Sequence, residues 1–187
     1  MIALLKLPAE LPQPTDDGAC DHLTGMKMPQ LALSSTFERM VDLNALAAPR
    51  ILIYCYPRTG QPDKKLPEGW DAIPSARGCT PQACGFRDHY NELRAHSVDV
   101  FGLSTQSTNY QQEVVTRLHL PFEMLSDEKF QLCDALRLPT FFVENQRLIK
   151  RLTMIIRDKK IEKVFYPVFP PDEHAAEVIR WLDGHAL

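Results

Sequence analysis

The sequence predicts an α/β domain, a sheet carrying helices on both faces, on three observations. Ile51 to Tyr56 is an unbroken apolar stretch of strand formers, as a buried central strand requires. Apolar residues recur at spacings of three and four in segments that alternate with further strands. Near the C-terminus two β-rich segments are joined by the charged turn R-D-K-K, which reads as a hairpin and makes the sheet mixed. A chain of 187 residues suits one such domain with a full core.

Each element follows in order. Residues 1–27 are rich in Pro, Asp and Gly with neither strand nor helix period, so they are expected as an extended lead segment, with Cys20 a surface thiol. The domain is expected over 28–187, beginning with weak strand and turn patterning up to Leu46. After the central strand, residues 58–78 carry turn signals at Gly60, Pro62, Pro67 and Gly69 and no period, which reads as an inserted functional loop. Within it Trp70 and Ile73 are expected to anchor the loop to the core. Ala83, Phe86, Tyr90 and Leu93 then mark a helix over about 80–96, with Cys79 and Thr80 at its start. Val98 to Leu103 is a strand, Tyr110 to Leu118 a helix, and Phe122 to Leu125 a short strand. Asp127 caps a helix carrying Phe130, Cys133 and Leu136. Residues 151–156 and 161–166 are the hairpin strands, and Pro170-Pro171-Asp172 opens a last helix with Ala175, Val178, Ile179 and Leu182 on one face. This order suits a thioredoxin-like fold, in which reactive groups gather beyond the C-terminal ends of the central strands. Cys79, delivered by the loop after the central strand, has that address.

Composition narrows the partners. With 44% apolar and 24% charged residues the chain is of ordinary globular type, and a net charge of −3 provides no basic surface for nucleic acid or membrane. The apolar start, Met1 to Leu5, is short and has no cleavage site behind it, and no stretch approaches the roughly 20 residues of a membrane span. A cytoplasmic location is expected, with small molecules or proteins as partners.

The five cysteines are odd in number and scattered, unlike the framework of a small secreted domain. Cys79 and Cys84 stand five apart in G-C-T-P-Q-A-C-G-F-R-D-H-Y. Zinc sites need a second pair of ligands, and neither the other cysteines nor the six histidines supply the spacing, so no metal is expected. A static disulfide is opposed by geometry, since five helical residues rise ~7.5 Å and the bridging limit between Cα atoms is ~7 Å. Two readings stay open on the residues alone: small apolar packing groups, or a reactive pair. Cys55 and Cys133, inside apolar periodic segments, read as packing. Cys79 differs because free N–H groups and the dipole at a helix start favour thiolate over thiol.

The G-C-T-P-Q-A-C-G-F-R-D-H-Y segment resembles the active-site helix of the bacterioferritin-comigratory-protein (BCP) or PrxQ class of peroxiredoxins. The likeness continues through V-D-V-F-G-L-S-T, L-P-F-E-M-L-S-D, R-L-T-M-I-I-R-D and V-I-R-W-L, and spans about residues 28–183. It implies a thioredoxin-like fold of peroxiredoxin type and a thiol-dependent peroxidase acting on hydrogen peroxide and organic hydroperoxides. By the same resemblance Cys79 is the attacking thiolate, Cys84 the resolving thiol that closes an intramolecular disulfide, and Arg151 the arginine aimed at thiolate and peroxide. Thioredoxin or glutaredoxin is implied as reductant, a monomer as the assembly, and no cofactor. One departure stands out: the family pattern P-x-x-x-T-x-x-C places a peroxide-orienting Thr three residues before the cysteine, where this chain has Ala76. Thr59, in Y-P-R-T-G at the start of the loop, or the nearer Ser75, is expected to supply that hydroxyl. A thiol-disulfide oxidoreductase and a non-enzymatic redox sensor are the alternative functions; C-x-x-C spacing would favour the first, and slow oxidation without an efficient reductant the second.

Overall fold

A computed structural model describes residues 7, 8 and 10–187; the apolar run Met1 to Leu5 lies outside the described residues. The chain forms β1 (Ala32–Ser35), β2 (Met40–Asp42) and β3 (Arg50–Cys55), then α1 (Cys79–Asp88), α2 (Tyr90–Ala95), β4 (Val98–Ser104) and α3 (Thr108–Leu118). There follow β5 (Glu123–Ser126), α4 (Gln131–Leu136), β6 (Thr140–Val143), β7 (Gln146–Ile149), β8 (Leu152–Arg157), β9 (Lys160–Phe165) and α5 (His174–Asp183). Seven strands make one mixed sheet in the order β2-β1-β5-β4-β3-β8-β9, while β6 and β7 pair separately.

At the centre, β3 runs parallel to β4 and antiparallel to β8. All six of its residues are buried, Arg50 at its start included, and the apolar run Ile51 to Tyr56 is buried throughout. Side chains alternate across it. Ile51, Ile53 and Cys55 enter one core with Leu132, Cys133 and Leu136 of α4, whereas Leu52, Tyr54 and Tyr56 enter the other with Phe86, Leu93, Val114 and Val178 from α1, α2, α3 and α5. The result is the thioredoxin-like α/β architecture, with helices on both faces of a mixed sheet. Among the described residues no helix is long and apolar enough to cross a membrane.

Several elements depart from the sequence expectation. The helix expected over 80–96 is broken at His89 (φ −97°, ψ 11°) into α1 and α2, and both pieces still put Phe86 and Leu93 in the same core. The 58–78 loop contains a short 3₁₀ turn, Trp70–Ala72. The β6–β7 hairpin was not expected; it turns at Glu144 and Asn145 with φ of 45° and 60°, and asparagine is a residue that tolerates this region. Asp127 does cap α4 as expected, its carboxylate accepting the N–H groups of Leu132 (3.1 Å) and Cys133 (2.8 Å).

The N-terminal segment differs most. Residues 18–25 form turns, Leu23 is fully buried and Cys20 is 6% exposed, so Cys20 is a core residue and not a surface thiol. Gly25 N–H donates to the Ile161 carbonyl (2.8 Å), and Ile161 and Met28 N–H groups donate to Met26 and Lys159 carbonyls (2.9 Å each). These bonds cover the open edge of β9, which would otherwise present unpaired donors and acceptors. Leu23→Ala is therefore expected to lower unfolding free energy by about 2–5 kcal/mol, as for other fully buried leucines; urea denaturation measures it, and a loss under about 0.5 kcal/mol would mean the segment is not integral to the core.

Candidate active site

Strand order sets the site. Because β8 is antiparallel to β3, the N-terminal end of β8 lies at the C-terminal end of β3, with Cys55 opposite Leu152. Arg151, one residue before β8, therefore sits where the loop leaves β3, and that loop ends on α1. Gly78 makes the junction. Its φ of 105° is disfavoured for a side chain, and a Cβ there would lie 2.3 Å from Pro171 Cγ. Only glycine lets the chain turn into the helix this close to the 171–174 segment.

Cys79 is the first residue of α1 and only 4% exposed. Within the first turn, Pro81 has no N–H and Gln82 N–H returns to the Gly78 carbonyl (3.0 Å), so the N–H groups of Cys79 and Thr80 are those left without an intrahelical acceptor. No acidic residue lies in this turn to compete for them. Arg151 completes the arrangement from below. Its Nη2 lies 3.2 Å from Cys79 Sγ and also reaches the carbonyls of Ser75 (3.1 Å), Ala76 (3.3 Å) and Arg77 (3.0 Å), while Nη1 donates to the Gln82 side-chain oxygen. Arg151 is fully buried, and no carboxylate of the described residues pairs with it. An unpaired buried cation is costly. Cys79 Sγ is the ionisable group in contact with it.

The three carbonyls converge because Ser75 is held at φ 63°, a conformation disfavoured for a non-glycine residue. Cys79 as a thiol also directs its weak donor at the Ala76 carbonyl, 3.6 Å away. The thiol opens on a narrow cleft of about 20 Å³, walled by Arg58, Leu66, Trp70, Arg77 and Thr80. Arg77 also pairs with Asp71 at 3.3 Å.

Cys79 and Arg151 are thus brought together. Cys84 lies on α1, one residue before Gly85, half-buried, and burial pushes its thiol up. Both cysteines are free, and the intact helix separates them. Thr59 is buried, with its N–H (2.9 Å) and hydroxyl (3.0 Å) both donating to Gln106 Oε1. Ser75 Oγ is buried without a partner and borders a different cavity from Cys79. The hydroxyl-bearing residue on the wall of the Cys79 cleft is Thr80.

Burial separates the other thiols from this chemistry, raising Cys20 to about 12, Cys133 to about 11 and Cys55 far above the ordinary range. Gln82 was missed from sequence. A glutamine buried to 1% exposure in a first turn has no distinguishing pattern, and its role is visible only once Arg151 is opposite it. His174 was missed for a similar reason. It opens α5 buried, hydrogen-bonded to Thr153 Oγ1 and to Glu177 Oε2 at 2.8 Å each, and it meets Phe86 edge-on at 5.7 Å, which ties β8, α1 and α5 together. Burial holds its imidazole below the ordinary value.

Comparison with known proteins agrees with this geometry. The redoxin family model matches residues 23–179. Peroxiredoxin Bcp of Escherichia coli K12 is 32% identical over 162 residues, covering 84% of this chain and 94% of that protein. The chloroplastic peroxiredoxin Q of Gentiana triflora is 24% identical over 187 residues, covering 97% of this chain and 78% of that protein. Among solved structures, peroxidoxin BcpB of Mycobacterium tuberculosis superposes with a TM-score of 0.73 at 22% identity, over 89% of this chain and all of that one. Xanthomonas campestris peroxiredoxin Q gives 0.68 at 21% identity over 95% and 98%. At these identities the two structures speak to the fold, and the Escherichia coli relative and the family model to membership. The chain belongs to the redoxin family, as a peroxiredoxin of the Bcp/peroxiredoxin Q class, and is a thiol-dependent peroxidase.

Proposed function

We propose that Cys79 is the attacking thiolate of this peroxidase, Cys84 the resolving thiol and Arg151 the group that stabilises charge during attack. The observation that carries the reading is the fully buried guanidinium 3.2 Å from a sulfur that starts a helix. Cys79 thiolate attacks one oxygen of a hydroperoxide; the O–O bond breaks, sulfur becomes a sulfenic acid, and the departing alkoxide or hydroxide takes a proton to leave as alcohol or water. Arg151 and the N–H groups at the helix start offset the negative charge as it moves from sulfur to the leaving oxygen. Hydrogen peroxide and organic hydroperoxides are the substrate class; a Xanthomonas campestris relative has been described for alkyl peroxide reduction.

Cys84 sulfur then attacks the sulfenic sulfur, forming the disulfide and releasing water. Five helical residues rise ~7.5 Å, beyond bridging reach, so α1 must unwind over its first turns for this step. An external dithiol reduces the disulfide by exchange, and a protein of thioredoxin or glutaredoxin type is the reductant we favour. In-chain resolution needs no second subunit, which supports a monomer. A cycle that returns each time to free thiols supports a reducing compartment such as the cytoplasm.

The reading is tested by single-turnover oxidation with hydrogen peroxide followed by thiol counting and mass spectrometry. Wild type is expected to lose two thiols, Cys84→Ser to stop at a sulfenic or sulfinic acid on Cys79, and Cys79→Ser to be inert; a Cys79→Ser protein that reacts as fast as wild type would overturn the assignment. Arg151→Met is expected to slow the peroxide step by roughly 10²–10³, the loss typical of a donor aimed at developing charge. Arg151→Lys should recover little of it, because one ammonium cannot serve Gln82, three carbonyls and the sulfur in a single plane. Stopped-flow fluorescence measures both.

The disulfide-forming step has its own pH dependence. Burial raises Cys84 above its ordinary 9.0, so at pH 7 it is almost wholly thiol, and its thiolate fraction grows as pH rises toward and past 9. Closure of the disulfide, followed as a first-order phase after a peroxide pulse, is therefore expected to accelerate by about tenfold per pH unit from 7 to 8.5. A flat profile would mean that unwinding of α1, not the thiolate, limits the step.

A further inference from the structure

The cleft on which Cys79 opens is small. A water molecule occupies about 10–15 Å³ by this measure of volume, so a cleft of about 20 Å³ admits a peroxy head and little else. Larger cavities lie elsewhere among the described residues. One of about 320 Å³ is lined by Ile73, Pro74, Phe141 and Tyr166, and one of about 350 Å³ by Arg58, Gln106, Tyr110 and Phe130; neither includes Cys79. The roomier cavities thus do not open on the thiol.

Leu66 and Trp70, both from the inserted 58–78 loop, are the apolar walls of the Cys79 cleft. Trp70 is 3% exposed and packs with Ala76, Val143 and Leu148, its ring 6.2 Å from that of Phe141 on β6. Glu68 N–H donates to Glu144 Oε1 at 3.0 Å in the β6–β7 turn. The other end of the loop is tied to α3: Tyr110 hydroxyl donates to the Thr59 carbonyl (3.1 Å) and Arg117 Nη2 to the Gly60 carbonyl (3.0 Å). Leu66 and Trp70 thus stand on a segment fixed at both ends, against the hairpin on one side and the helix on the other.

We infer that Leu66 and Trp70 determine substrate size: the loop acts as a lid that admits hydrogen peroxide and excludes hydroperoxides with a bulky substituent. This rests on the reading of Cys79 as the attacking thiolate. Trp70 has the structural part expected of it and a selective one as well, because the face that packs on the hairpin and the face that closes the cleft belong to the same side chain. A hydroperoxide with a phenyl or branched alkyl group would have to displace these two side chains to bring its O–O bond to the sulfur, whereas hydrogen peroxide would not.

The test measures second-order oxidation of reduced wild type, Leu66→Ala, Trp70→Ala and Trp70→Phe by hydrogen peroxide, tert-butyl hydroperoxide and cumene hydroperoxide, with thermal melting of each variant. Wild type is expected to react fastest with hydrogen peroxide and slowest with cumene hydroperoxide. Leu66→Ala and Trp70→Ala should reduce the hydrogen peroxide to cumene hydroperoxide rate ratio by about tenfold, within the range that a few methylene groups give in an apolar pocket, and Trp70→Phe by less. Trp70→Ala removes a large anchor and can cost stability, but Leu66 is only half-buried and its variant keeps the test decisive. A ratio unchanged in Leu66→Ala, rates for all three peroxides falling together, or a wild type that prefers cumene hydroperoxide would overturn the lid. A wild type that oxidises with none of them would instead sink the peroxidase reading itself.

Discussion

The buried guanidinium of Arg151 is the constraint around which the site is organised. A cation at zero exposure calls for acceptors, and here both terminal nitrogens find them while Nε is buried without one. Ser75 is bent into a left-handed conformation so that its own carbonyl and the next two point inward. Gln82 extends from α1 to take Nη1. Gly78 turns the chain so that Cys79 Sγ completes the set. Four of these five acceptors are neutral groups, and the fifth is the sulfur of Cys79. On the proposal that Cys79 attacks as a thiolate, the same guanidinium offsets charge first on the sulfur and then on the departing oxygen.

The proposed resolution by Cys84 would make an opposing demand on α1. The helix holds Cys79 against Arg151 when folded, and would have to unwind to bring Cys84 to it. Its construction fits a helix balanced between these states. The N-cap Gly78 offers no side-chain acceptor, and the run breaks at His89 after only ten residues. What holds it folded is tertiary: Phe86 stacked on Tyr54 at 4.6 Å, Ala83 in the same core, Gln82 on Arg151, and Gly85 against the Asp172 carbonyl. Cys84 lies on the less buried side of that packing. On the proposed mechanism, a sulfenic acid at Cys79 would put a neutral group in place of the thiolate beside Arg151 and weaken one of the ties when unwinding is required.

Much of this was legible in the sequence because it is carried by local pattern. The central strand reads from six apolar residues, the helices from spacing, and the cysteine pair from its place after the strand. What was not legible depends on partners distant along the chain. Leu23 and Cys20 sit in a segment without periodicity because turns, not a helix or strand, bring them to the core and to the edge of β9. The β6–β7 hairpin is amphipathic on so short a scale that Phe141 and Val143 have no meaning until Trp70 lies against them. Thr59 reads as an available hydroxyl, and only the fold reveals Gln106 beside it.

Ala76 is the residue through which these threads meet. A hydroxyl three positions before the cysteine would belong to the site, yet here the side chain is fully buried among Trp70, Val143 and Leu148, in the small apolar cluster that fastens the loop to the hairpin. Its backbone, by contrast, faces the reaction centre, with the carbonyl accepting from Arg151 and lying 3.6 Å from Cys79 Sγ. A polar group at this side chain would be left unsatisfied inside the cluster, at a cost of about 1–3 kcal/mol, and would loosen the fastening that keeps Leu66 and Trp70 over the thiol. Ala76 thus serves the site twice, its side chain as an apolar anchor for the 58–78 loop and its backbone as an acceptor for Arg151. Thr80, on the wall of the same cleft and adjacent to the sulfur in sequence, is the hydroxyl residue that remains beside it.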